Sequence, residues 1–403
     1  MGGKGKFNFL SLDEAGKGES GLAVHLDRPV DFGKECRKME TRRQGISDRT
    51  VYEEWVETEG IPIVSGFFVE DLRTIPVEPW ERKGALGCYI NLEGTGGTNN
   101  AYVCEIPAGS RTKPQRHLFE ELIFVLSGRG ATTVWQEGGN KQTFEWHEGS
   151  LFSPPLNAWH QHFNGQGQEP ARYVAVTTAP TVIDLFHNVD FVMNNEYVFT
   201  DRFAGEEGYF SGQGTDISGR IWDTNFVADV RAFQLRSRES RGVGDKNMMF
   251  ELAHNTMCAH VSEFPVGTYK KGHRHGPGAH VVFLSGDGYS LLWPEGQPIK
   301  RVNWKVGSLV VPPSMWFHQH FNPGTEPARY LALRWGSRKY RRGEDVALRR
   351  DNVLKRFSEM SLKEGGGQIE YEEEDPQIYR MFQEECSKRG ARLMMPDHPQ
   401  AKT

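Results

Sequence analysis

The chain has 403 residues, more than the roughly 100–200 expected of one domain, so two or three folded units with sizeable cores are within reach. Apolar residues make up 37% and charged residues 25%, which excludes a disordered or collagen-like chain. A formal net charge of -5 supplies no basic field to draw the protein to nucleic acid or to an anionic membrane surface, which leaves small molecules as the expected partners.

The opening MGGKGKFNFLSLDEAGKG has no apolar core of a secretory signal, and no stretch approaches the roughly 18 apolar residues of a membrane helix. A cytoplasmic protein is expected. Residues 1–95 read as an arm, helical around TVYEEWVETEG and strand-like in GIPIVSGFF, packed on the rest of the chain. Five cysteines, Cys36, Cys88, Cys104, Cys258 and Cys386, are odd in number and lack CxxC spacing, so they are expected to be reduced and structural.

An internal repeat organises the remainder. Residues 109–164 match residues 267–322 at a constant offset of 158 without a gap: Gly109 falls on Gly267, His117 on His275, Trp135 on Trp293 and Gly149 on Gly307. PPLNAWHQHFN from Pro154 falls on PPSMWFHQHFN from Pro312, and after one slip EPARYVAV from Glu169 matches EPARYLAL from Glu326. Within each copy, short apolar runs such as ELIFVLSGRG and HVVFLSGDG alternate with Gly and Pro turns, the pattern of antiparallel strands. The expected fold is therefore an all-β core of two barrels or jelly rolls, one at 96–185 and one at 246–340. Residues 186–245, which include the turn-rich SGQGTDISG, are expected to link them. The tail, 341–403, carries the charged stretches EDVALRRDNVLKRFSEM and DPQIYRMFQEECSKRG, expected as solvated or dimer-forming helices.

The chemistry concentrates in the second copy. Residues i and i+2 of a strand share a face, so His273 and His275 can both point inward while His318 approaches from another strand. Three imidazoles leave positions open for substrate, water or dioxygen on iron, manganese, nickel, copper or zinc. Ala279 stands where the first copy has Glu121. His280, its neighbour, is either a fourth ligand or, by strand alternation, a buried histidine pointing away. In the first copy Gln115 replaces the first histidine while His117, Glu121 and His160 remain, either as a two-histidine, one-carboxylate site or as the remnant of one. His320 and His162 share strand faces with His318 and His160, placed to orient a ligand or move a proton. Arg334 is a candidate for meeting an anionic group, its plainer reading being an exposed strand end. Tyr289 and Trp293 line the second barrel or belong to its core.

These stretches resemble the two motifs of the cupin superfamily: a glycine, H-x-H, an acidic position and a glycine, then a glycine, a proline, a histidine and an asparagine. Here they read Gly267, His273, His275 and Gly307, Pro313, His318, Asn322. The resemblance covers roughly 95–180 and 250–337 and implies a bicupin, a homo-oligomer by family habit. The second copy, HRHGPGAHVVFLSGDG with MWFHQHFN, is most similar to ring-cleaving gentisate and salicylate dioxygenases, which likewise have a non-acidic residue at the glutamate position. That likeness implies ferrous iron on His273, His275 and His318, with O2 and a hydroxy-aromatic or enolic substrate. It departs from the family in placing the full triad in the second barrel. Two other readings stand beside it: redox-neutral manganese or zinc chemistry, for which decarboxylating bicupins are the precedent, and a non-catalytic ligand-binding or storage bicupin.

Overall fold

In each copy an apolar strand passes through a glycine turn into its neighbour: Glu121–Ser127 into Arg129–Trp135, and His280–Ser285 into Gly288–Trp293. Side-chain alternation then sends Leu122, Phe124, Leu126, Val282, Leu331 and Leu333 to one face and Ile123, Val125, Val281 and Phe283 to the other. The first set forms a single apolar core between the two large sheets; the second fills the interior of its own barrel. The result, in a computed structural model that describes residues 9–10, 47–341, 347–350 and 353–397, is the expected pair of jelly-roll barrels.

In barrel one the large sheet runs through Glu121–Ser127, Ala171–Thr177, Asn100–Ile106 and Ala85–Ile90, and a second sheet pairs Trp159–Phe163, Arg129–Trp135 and Gln142–His147. Barrel two repeats this with His280–Ser285, Ala328–Trp335, Met257–Phe264 and Lys246–Glu251 against Phe317–Asn322, Gly288–Trp293 and Ile299–Trp304.

The arm and the linker are not mere connectors. Phe68–Val69 of the arm pairs with Leu309–Val310 of barrel two, and Phe226–Val227 of the linker pairs with Leu151–Phe152 of barrel one. Each barrel is thus completed by a strand from the segment preceding the other. FVEDLR from Phe68 and FVADVR from Phe226 stand at the same offset of 158, so the repeat extends well upstream of the stretch where it is obvious. The clasp repeats too. Leu72 N–H donates to Gly307 O and Val230 N–H to Gly149 O, both at 2.9 Å. Gly149 and Gly307 have φ of 93° and 90°, and a Cβ on either would lie 2.3 Å from the carboxylate of Asp229 or Asp71. Glycine is needed there both for the backbone conformation and for the close approach.

Helix Val51–Thr58 is capped by Thr50 and Glu53 in reciprocal hydrogen bonds, and buries Tyr52, Trp55 and Val56 against barrel one. In the tail the expectation needs two corrections. The stretch expected as a first helix contains two antiparallel paired strands, Ala347–Arg350 and Val353–Arg356, and its run of charges offers no apolar period to separate strand from helix. The second stretch is a helix, Pro376–Arg389, but Ile378, Tyr379, Phe382 and Cys386 are buried with Tyr269, Tyr289 and Phe321 on barrel two. Its apolar face is therefore already covered. Cys88, Cys104, Cys258 and Cys386 are buried and free of disulfides, and Cys36 lies outside the described residues. No helix among the described residues is long and apolar enough to cross a membrane.

Candidate metal centre

His273 and His318 face each other across an antiparallel bridge, exchanging N–H···O bonds of 3.1 and 2.9 Å. Directly opposed residues project to the same side. His275, two residues on, joins them, so that the ring centroids of His273 and His275 lie 4.1 and 4.8 Å from that of His318. One ligand atom from each of the three lies within 4.8 Å of the others. Each Nδ1 is directed at a backbone carbonyl: His273 to Lys271 O at 3.3 Å, His275 to Gly276 O at 2.7 Å, and His318 to Trp316 O at 3.2 Å. A proton on each Nδ1 leaves the three Nε2 lone pairs for a common centre, the tautomer that metal ligation requires. Burial keeps the rings neutral. It pushes His275 down to about 3, and burial together with neighbouring cations and imidazoles holds His273 and His318 well below the usual imidazole range. Neutral, convergent imidazoles fit a divalent ion of the kind the sequence implied.

The recess over these rings encloses about 670 Å³ of non-atom space, including its mouth, and its walls are cationic: Arg238, Arg241, Arg334, Arg356 and Lys270. Lys270 is paired with buried Asp245 at 2.6 Å, Arg238 with Glu359, and Arg356 also has partners. Arg241 is different. It is 7% exposed, and its Nη1 donates to Ser358 O at 2.6 Å and Gln368 Oε1 at 2.8 Å. Burial, with Arg238 nearby, pushes its guanidinium down to about 9. Arg241 is not among the residues singled out from the sequence, although a signal was present: RKG at 82–84 and SRG at 240–242 stand at the offset of 158, which pairs Arg241 with Lys83.

Barrel one carries the counterpart set His117, Glu121 and His160, also mutually within 4.8 Å. Here the charge is answered internally. Lys83, 2% exposed, donates to Tyr102 at 2.6 Å and lies 3.9 Å from Glu121, and the Tyr102 hydroxyl donates to Glu121. Despite its burial, Glu121 is held well below the usual carboxylate range by Lys83 and the two imidazoles. Gln115, in the position of the missing histidine, sets its amide nitrogen 3.0 Å from His160 Nε2, occupying the lone pair a metal would use. Glu121 Oε2 and His117 Nε2 are nevertheless buried without a hydrogen-bond partner. The donor set fits an ion less well than that of barrel two: one ligand is engaged and an ammonium group competes. The cavity of barrel one is also smaller, about 250 Å³, and is lined by Trp55, Arg82, Tyr89 and Phe119.

His320 lines the recess of barrel two with its Nδ1 2.7 Å from Ser290 Oγ, which also accepts from Trp304 Nε1 at 3.1 Å. His162 repeats this with Thr132 at 2.8 Å and Trp146 at 2.9 Å. Arg334 is half-buried on the recess wall, its Nε donating to Trp335 O at 2.8 Å, rather than at an exposed strand end. His280 points the other way. Ala279 and Val281 line the recess, so alternation turns His280 with Val282 toward the core shared by the barrels, fully buried and with Nε2 unpartnered. Tyr289 and Trp293 belong to the core beneath the C-terminal helix.

Residues 102–177 match the family model described as the cupin domain. Among curated proteins none matches the chain. Solved structures similar to it include a variant of Bacillus subtilis oxalate decarboxylase, 14% identical over 68% of this chain and 78% of that one, with a TM-score of 0.44. Lactobacillus farciminis oxalate decarboxylase in complex with formate is 14% identical over 79% and 93%, with a TM-score of 0.46. Likeness of this degree carries no statement about the reaction. The matched residues lie in barrel one; barrel two repeats its strand order and holds the more complete set of metal donors.

Proposed function

We propose that this protein is a metal-dependent enzyme whose catalytic centre is His273, His275 and His318 in barrel two, and whose substrate is a small oxygen-rich anion. The observation that supports this most directly is the pairing of an all-imidazole donor set with a buried arginine, Arg241, that has no carboxylate among its hydrogen-bond acceptors. Three neutral ligands leave a divalent ion its full charge, and such an ion supplies Lewis-acid polarisation of a bound oxygen. Arg241 and Arg334 offer charge-assisted hydrogen bonds that orient a carboxylate or enolate toward the histidines and stabilise negative charge as it develops. His320, held neutral by burial and by His318, is suited to giving or taking a hydrogen bond at the substrate rather than to carrying charge. A redox-neutral conversion such as decarboxylation, isomerisation or hydrolysis uses all of these groups.

A second reading, dioxygen-dependent cleavage of a hydroxy-aromatic or enolic substrate with ferrous iron, is favoured by Ala279 at the acidic position together with the H-R-H and W-F-H-Q-H-F-N spacing. Elemental analysis of protein purified without chelators tests the common part. About one divalent ion per chain, lost in His318→Ala and kept in His160→Ala, is expected; protein that takes up no metal after anaerobic reconstitution would end the enzymatic reading. Oxygen uptake with candidate substrates separates the two reactions. Turnover without oxygen consumption selects the redox-neutral one.

A further inference from the structure

Beside the recess over the histidines lies a second one, with about 750 Å³ of non-atom space including its mouth. The two share Arg238 and Met249 in their walls, so they adjoin. Among the described residues, four guanidinium groups line the outer recess, those of Arg220, Arg238, Arg338 and Arg341, against one carboxylate, Glu359, and Arg338 has partners of its own. That carboxylate is committed: Arg238 Nη2 donates to it, and surrounding arginines hold it at about 2. The side chains of Arg220 and Arg341 make no hydrogen bond or ion pair among the described residues. Arg238 keeps a second donor in hand, its buried Nε, which has no partner. Like charges gathered around one concavity repel each other unless an anion sits among them. Barrel one shows no such arrangement: Pro62 and Trp80 stand at the positions corresponding to Arg220 and Arg238.

We propose that the outer recess is a second anion subsite, which takes a phosphate or carboxylate group of the same substrate whose reacting end lies at His273, His275 and His318. This rests on the reading of barrel two as the catalytic centre, and it narrows the substrate to a molecule with two anionic groups. Arg238 stands where the two ends meet. Arg220 and Arg341 hold the distal group, and the fork geometry of their N–H donors suits both phosphate and carboxylate.

The test is calorimetric titration of the metal-loaded full-length protein with inorganic phosphate and with malonate at 150 mM sodium chloride. Saturable binding is expected, weakened about tenfold or more when Arg220→Gln and Arg341→Gln are combined, substitutions at exposed positions that leave the barrel intact. His318→Ala is expected to keep this binding while losing the metal. Preference for phosphate or for malonate identifies which group the substrate carries. Affinity within twofold of wild type in the double variant, or no saturable binding below about 10 mM of either anion, would overturn the subsite. Should His318→Ala keep its metal, the reading of the catalytic centre fails while the subsite stands on its own titration.

Discussion

Lys83 in barrel one and Arg241 in barrel two occupy corresponding positions, yet their surroundings differ. Lys83 has the carboxylate of Glu121 at 3.9 Å and the Tyr102 hydroxyl at 2.6 Å, while Arg241 finds a carbonyl and an amide oxygen. The difference traces to a few positions: Glu121 against Ala279, Tyr102 against His260, Gln115 against His273. Barrel one has built the anion into its wall and lines a small cavity with Trp55 and Tyr89. Barrel two lacks that carboxylate, has the third histidine and lines a larger recess with arginines. A buried cation whose hydrogen-bond acceptors include no carboxylate is costly, and an anion from solution would lessen that cost. On the proposed reading, one barrel serves as a support and the other takes an anionic ligand.

The most severe challenge to that contrast is Lys83→Met. Removing one partner of a buried charged pair costs about 3–5 kcal/mol, because the remaining charge is left uncompensated. Urea unfolding of the metal-free variant should show a loss of that order. A divalent ion bound at His117, Glu121 and His160 would replace the missing charge, so added manganese or zinc should restore much of the stability and raise the metal content toward two per chain. An unchanged stability would mean that Lys83 and Glu121 are not a working pair.

The next challenge concerns the core between the barrels, where His280 stands opposite Leu122 in the alignment of the copies. Burial pushes His280 down to about 4, from 6.5. The unfolded chain therefore binds a proton between those values that the folded chain does not. Its titration thus costs the fold nothing above about pH 6.5, and stability falls as the pH drops from there toward 4. The full effect is about 3 kcal/mol, at about 1.4 kcal/mol per pKa unit. Replacing His280 by Leu should lessen the pH dependence of urea unfolding over that window by about this amount, the other buried histidines keeping theirs, and leave metal content unchanged. A loss of metal would place His280 among the ligands after all.

How much of the molecule could be read in the sequence depends on what local pattern encodes. The barrels and the three histidines were legible because glycine turns, strand alternation and the H-x-H spacing are local signals, repeated twice. The paired strands Ala347–Arg350 and Val353–Arg356 were not, because a charged run offers no apolar period to separate strand from helix. Nor was the exchange of strands between barrels, since FVEDLR and FVADVR reveal a repeat but not which barrel each strand joins. Arg241 was hidden for a related reason. It lies 32 residues before His273 in the sequence and reaches the recess only through tertiary folding, held by Ser358 and Gln368 of the tail.

A smaller effect sharpens the contrast at the site itself. Ala279→Glu would import the carboxylate of barrel one into the recess of barrel two, facing Arg241. In cobalt-substituted protein the visible spectrum reports anions that reach the metal. Malonate should perturb it at concentrations about tenfold higher in the variant, a change of about 1.4 kcal/mol. Equal affinity would show that Arg241 does not recruit the anion.

The weakest expected effect belongs to the clasps, and it tests whether they hold both barrels alike. Arg73 bonds Asp71 at 2.7 Å and Val306 O at 2.8 Å, while Arg231 bonds Asp229 at 2.9 Å and also Glu148. Both arginines are around two-fifths exposed, at 43% and 38%, so solvent screens the pairs and each is worth no more than about 1 kcal/mol. Arg73→Ala and Arg231→Ala should each lower stability by less than that, with Arg231→Ala the larger because it loses a second carboxylate. The same loss from both would mean that Glu148 adds nothing. A loss of several kcal/mol from either would mean that the exchanged strand detaches with its clasp, and that the two barrels depend on each other's arms for their folding.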